Sequence, residues 1–150
     1  MRERIAESIR DAMRSRDDLR LSTLRLMSAA VKDQDIARRG QPEGGELPDA
    51  EIRALFSKML RQREESARAY EEAGRMELAE RERAEQRVIR EFLPKPMTEK
   101  EIDAAIAKAI RDTQASSIRD MGKVMGALKQ AHAGRMDFGA AGTRVKAALG

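Results

Sequence analysis

The 26 carboxylates, one histidine and complete lack of cysteine set the chemistry open to this chain of 150 residues. Without a thiol there is no thiolate zinc site, redox dithiol or sulfur nucleophile, and His132 alone cannot build a two-histidine metal centre. The sequence therefore assigns no metal ligand and no cofactor. Carboxylate pairs for acid–base work occur at Glu64/Glu65, Glu71/Glu72 and Glu80/Glu82. Each pair sits among other charges, where water holds a carboxylate near its ordinary pKa, so they read as solvated helix faces and no catalytic residue is assigned. Ser116 to Val124 ends in Gly122-Lys123 like a phosphate-binding loop. Ser117 stands where such a loop needs glycine, and Val124 where it needs a hydroxyl for the metal, so that reading fails.

The stretch Met121-Gly122-Lys123-Val124-Met125-Gly126 is unusual because it places two glycines inside a good helical pattern. Each glycine costs a helix about 1 kcal/mol relative to alanine, and four-residue spacing puts both on one face. Something is then able to approach that backbone closely. A neighbouring helix is favoured on geometry because it needs no ligand; a nucleic-acid backbone is the other candidate. Around the glycines lie Arg119, Lys123, Lys129, His132 and Arg135, with Arg144 and Lys146 further on. These cations could follow a phosphate backbone, with Gly122, Gly126 and Gly134 letting the chain come near it. A solvated basic face is the competing reading. Aromatic residues are only 3% of the chain, so the stacking platforms of single-strand binders are missing. Duplex or folded RNA, recognised by shape, is the better-matched polyanion. Charge distribution points the same way: residues 1–93 hold 20 basic and 20 acidic side chains, while residues 94–150 hold 10 and 6.

These residues need elements to position them. The chain is rich in Ala, Leu, Met, Glu, Lys, Arg and Gln and lacks β-branched runs, so an all-α fold without strands is expected. Ile5, Ile9, Ala12 and Met13 mark the buried face of a first helix ending near Ser15 to Asp17. Leu21, Leu24, Met27, Ser28, Val31 and Ile36 mark a second, which starts at Asp17 or Asp18. Gly40 to Gly45 reads as a loop. A third, long helix opens at Leu47-Pro48-Asp49, with Asp49 able to accept from first-turn amides and Ile52, Leu55, Phe56, Met59 and Leu60 buried. From Arg61 to Glu72 it packs lightly against one partner, and Gly74 supplies a left-handed cap. A fourth helix from about Glu77 returns antiparallel, carrying Leu78, Ala84, Val88, Ile89, Phe92 and Leu93.

Pro94 and Pro96 mark a hinge over 94–97, because neither fits inside a helix. The expected organisation is a helical hairpin or bundle of about four helices over 1–93 and a three-helix tail over 98–150. Thr98 and Glu101 fit a reciprocal capping box, with Met97 and Ile102 placed as its hydrophobic staple. Ser117 and Asp120 sketch a second box before Met121, and Ala133-Gly134 breaks that helix before a last one from Asp137. Eleven charged residues among the first twenty, and no apolar run longer than Ala104 to Ala107, leave no signal peptide or membrane span. The cytoplasm is the expected compartment.

Taken together, Leu19-Arg20-Leu21-Ser22-Thr23-Leu24-Arg25, Arg61-Gln62-Arg63-Glu64-Glu65-Ser66, Tyr70-Glu71-Glu72-Ala73-Gly74-Arg75, Phe92-Leu93-Pro94 and Ser116-Ser117 through Gly126 resemble the YqeY family across nearly the whole chain. That family is similar to the C-terminal helical and tail region of the B subunit of the glutamine-dependent aspartyl/glutamyl-tRNA amidotransferase. The resemblance implies two all-helical subdomains and a link to tRNA. It also implies, by association, carbon–nitrogen ligase activity with glutamine as the nitrogen donor. Gly134-Arg135-Met136-Asp137 is similar to the tail's Gly-Lys-Ala turn, with Arg135 keeping a cation there. The expectation is a non-catalytic module that binds tRNA, or a tRNA-linked complex, through its basic tail. Two rivals stand beside it: an adaptor that engages a protein partner through the charged helices between Asp49 and Phe92, and a participant in glutamine-dependent transamidation.

Overall fold

The computed structural model describes residues 1–150, and the chain is all-helical. It divides into two compact units, Met1–Leu93 and Pro94–Gly150, each with its own core.

The first unit holds α1 (Arg2–Ser15), α2 (Asp18–Arg38), α3 (Asp49–Glu72) and α4 (Met76–Arg90). Asp17 starts α2 by accepting the Arg20 amide at 3.1 Å, directly after Arg16 has turned the chain left-handed at φ 57°. Leu24, Met27, Ile52, Phe56 and Ile89 are completely buried, and Phe92 meets the Phe56 ring edge-on at 6.4 Å between centroids. The Arg4 guanidinium lies over the other aromatic partner, 4.8 Å from the centre of Phe92. Three side chains expected in the core are outside it: Met13 is 54%, Ile36 57% and Leu78 38% exposed. Met13 and Ile36 lie near the ends of their helices and Leu78 in the first turn of α4, where the neighbouring helices no longer cover the apolar stripe. Asp49 does not cap α3 either; Pro48 occupies the cap position, and no side chain bonds to the first-turn amides.

Gly74, at φ 73°, ends α3 in a left-handed turn. Arg75 N–H donates to Tyr70 O and Gly74 N–H to Glu71 O, the paired bonds that close a helix end. The far half of α3 is joined to α4 chiefly through polar groups. Arg83 bridges Glu64 and Glu71, both at 2.9 Å, and Arg63 meets Glu85 at 3.1 Å. Gln86, only 1% exposed, donates to Leu60 O and Glu64 Oε2. Sequence spacing carried one sign of this: Gln86 falls on the same i, i+3, i+7 track as the buried Ala79 and Ile89.

The second unit holds α5 (Glu99–Asp112), a 3₁₀ turn (Ile118–Asp120), α6 (Met121–His132) and α7 (Phe138–Leu149). Its core is built on Ile106, Ala109, Val124, Leu128 and Val145. Thr98 caps α5 by accepting the Glu101 amide at 3.2 Å, but the box is only half formed, since Glu101 Oε1 accepts from the Thr98 hydroxyl rather than from its amide. The Ser117/Asp120 box forms in both directions. Asp137 opens α7 by accepting from the Gly139 and Ala140 amides.

Candidate nucleic-acid interface

Val124 and Leu128 are sealed in the core, and that fixes which way the rest of α6 faces. At roughly 100° per residue, Lys129, Gly122, Gly126 and Lys123 follow one another across the outer arc, with the two glycines between the two lysines. All four are exposed. A Cβ built on Gly122 or Gly126 meets nothing within 4 Å, so the expectation that these glycines admit a neighbouring helix is overturned. Core residues hold the opposite side of α6, leaving this side open. The glycine that does face a neighbour is Gly142 on α7, where a Cβ would lie 3.6 Å from Met121 Cε and 3.8 Å from Met125 Cε. Sequence reasoning missed it, although a glycine inside the α7 stripe of Phe138, Ala141, Val145 and Leu149 was the available sign.

The seven basic candidates separate into groups. Arg119, Lys123, Lys129 and Lys146 are exposed and take part in no ion pair. Lys146 follows Gly142 by one turn and therefore lies on the α6 flank of α7. Arg144 belongs to the other flank, where it pairs with Glu99 and, at 3.0 Å, with Asp103 of α5. Arg135 also faces inward within its unit: its Nε donates to Lys95 O at 3.0 Å, its guanidinium pairs with Glu101 at 3.4 Å, and its carbonyl accepts the Met97 amide at 3.0 Å. His132 is half-buried at the end of α6, and Gly134 makes the left-handed turn that follows at φ 79°. Their geometry is that of a helix terminus.

Charge at the near end of α6 is tempered by Asp120. The Ser116 and Ser117 amides hold its carboxyl below the usual carboxylate range, and the charge of Lys123 adds to the effect. Asp120 therefore stays ionised as a cap for the turn. The arrangement offers two lysines flanking a strip of bare backbone, which suits an extended anion. No group of three or more metal-ligating side chains comes together, and no helix is long and apolar enough to cross a membrane.

A family model described as Yqey-like protein matches residues 2–149. Among curated proteins, the chain is similar to "Altered inheritance of mitochondria protein 41, mitochondrial" of Lachancea thermotolerans, with 29% identity over 115 residues, covering 75% of this chain and 59% of that protein. The protein of the same name in Vanderwaltozyma polyspora is 26% identical over 72% of this chain and 57% of its own length. That of Eremothecium gossypii is 28% identical over 59% and 46%. The chain thus spans about half the length of these relatives.

Proposed function

Given that the chain belongs to the YqeY-like family, we propose that it is a non-catalytic module that binds tRNA, or a complex carrying tRNA, through the outer arc of α6 and the adjoining flank of α7. The observation that carries this reading is the pair of exposed glycines between two lysines that form no ion pair, with the Asp120 carboxylate near Lys123 already engaged by the Ser116 and Ser117 amides. A helix gains nothing internally from glycine there, whereas a phosphate backbone gains close access and two cations. The family's similarity to the amidotransferase tail supplies the choice of tRNA among polyanions. The proposed compartment is the cytoplasm; the word mitochondrial belongs to the relatives' name.

Filter binding of tRNA across a salt series tests it. Lys123→Ala with Lys129→Ala is expected to weaken binding and flatten the log–log salt slope by about two units, one for each lost contact. Arg144→Ala is expected to leave the slope nearly unchanged, because Arg144 is already committed to Glu99 and Asp103. Undiminished binding by the double lysine variant rejects α6 as the site. In this reading the chain has no transamidase activity of its own, so pure protein with glutamine, ATP and misacylated tRNA should yield no turnover. Turnover in that assay would favour the ligase alternative.

A further inference from the structure

The outer flank of α1 carries a feature that the RNA reading does not use. Ala6, Ile9 and Met13 fall at i, i+3 and i+7, making one apolar strip about 11 Å long. Met13 is 54% exposed and Ala6 is also open to solvent. Beside this strip a cleft of about 420 Å³ runs between α1 and α2, with the buried Ile5 and Val31 as its floor. Arg10 and Lys32 stand along its walls. Both are exposed, and neither forms an ion pair within the chain. Arg2, at the end of the cleft, is different: Asp35 engages it at 2.8 Å. Glu7 lies one turn from Arg10 on the same helix but neither pairs with it nor lines the cleft, and Asp11 is engaged by Arg14 at 3.6 Å.

We propose that the α1–α2 cleft is a docking site for an acidic amphipathic helix of a partner protein. Two helices side by side form a groove in which a third lays its apolar face, reading as anchors at i, i+3 or i+4, and i+7. The floor and the Ala6–Ile9–Met13 strip match such anchors, and the free Arg10 and Lys32 match carboxylates on the flanks of the incoming helix. A protein helix suits the site better than a nucleic acid, because the floor is apolar, Ile5 and Val31, and Ser28 is the one hydroxyl along the cleft. A second copy using the same face would bring two cationic rims together across a two-fold axis.

The test uses the full chain and a labelled synthetic peptide of about 16 residues, with leucines at the anchor spacing and glutamates on both flanks. A scrambled peptide of the same composition serves as control. Fluorescence anisotropy is expected to show saturable binding at least about tenfold tighter for the patterned peptide, with amide shifts in the full chain concentrated on α1 and α2. Ala6→Glu, at an exposed position, should weaken binding about tenfold, as should Arg10→Glu with Lys32→Glu, with circular dichroism unchanged in each. Lys123→Ala with Lys129→Ala should leave peptide binding intact, which separates this site from the RNA reading. Equal binding of the scrambled peptide, shifts confined to α6, or insensitivity to both groove variants overturns the proposal. So does binding to phosphatidylglycerol vesicles without binding to the peptide, or a dimer of the chain that Ala6→Glu dissolves.

Discussion

Asp35 joins two distant pieces of the first unit through one carboxylate. Arg2 donates to both of its oxygens at 2.8 Å, and the Leu47 amide donates to Oδ1 at 2.8 Å, so the carboxylate ties the start of α1 to the segment that leads into α3. The Arg2 bond, then the Leu47 amide, lower its pKa to about 2. Glu64, held first by Gln86 and then by Arg83, is likewise lowered to about 2. A carboxylate whose folded pKa is depressed stabilises the fold fully above its unfolded value near 4, and that contribution disappears as pH falls through the folded value. Urea midpoints of the chain should therefore drop between about pH 4 and pH 2, and the gap between the chain and Asp35→Asn should narrow over the same interval. A gap that stays constant through that range would show that the Arg2 pairing contributes nothing. Gln86 makes a second case. Gln86→Ala removes a buried donor from Glu64 and from Leu60 O, and is expected to cost about 1–3 kcal/mol in denaturant unfolding. None of these partnerships was readable in advance, since Asp35 finds Arg2 33 residues away and Gln86 finds Glu64 22 away. The Ser117/Asp120 box was readable because both partners lie within one turn.

At the scale of elements, three glycines separate what spacing reveals from what it leaves open. All three interrupt helical patterns in the sequence. The place of Gly74 after α3 predicts a left-handed cap, and its φ of 73° agrees. Four-residue spacing puts Gly122 and Gly126 on one face, and both are open there. Whether that face was inward or outward depended on how α5 and α7 pack against α6, and a single helix does not specify that. The difference gives opposite signs on substitution. Gly74→Ala forces a Cβ into the left-handed region and should destabilise by about 1 kcal/mol. Gly122→Ala and Gly126→Ala meet open space, so each should stabilise the free chain by about 0.5–1 kcal/mol. If a phosphate backbone lies against this face, the same two variants weaken tRNA binding while raising the thermal midpoint. Stabilisation without any loss of tRNA binding would mean that the glycines serve no contact.

For the whole molecule, the basic excess of residues 94–150 is plain from counting, but which cations are free is not. Glu99, Glu101 and Asp103 occupy Arg135 and Arg144, and that follows from where α5 lies in its unit. The proline pair at 94 and 96 coincides with the start of the second compact unit, and the two cores share no buried residue. Separate cores imply separate stabilities, which native-state hydrogen exchange is able to resolve. Phe56→Ala empties a fully buried site in the first core and is expected to cost about 3–5 kcal/mol. Its loss of amide protection should fall on α1–α4 and leave α5–α7 as they were. Leu128→Ala, costing about 2–5 kcal/mol, should produce the converse pattern and abolish tRNA binding, because it unseats the helix that carries Lys123 and Lys129. If either substitution lowers protection equally throughout, the two units unfold as one, and tRNA binding would then fail in the Phe56→Ala protein under the same conditions that defeat Leu128→Ala.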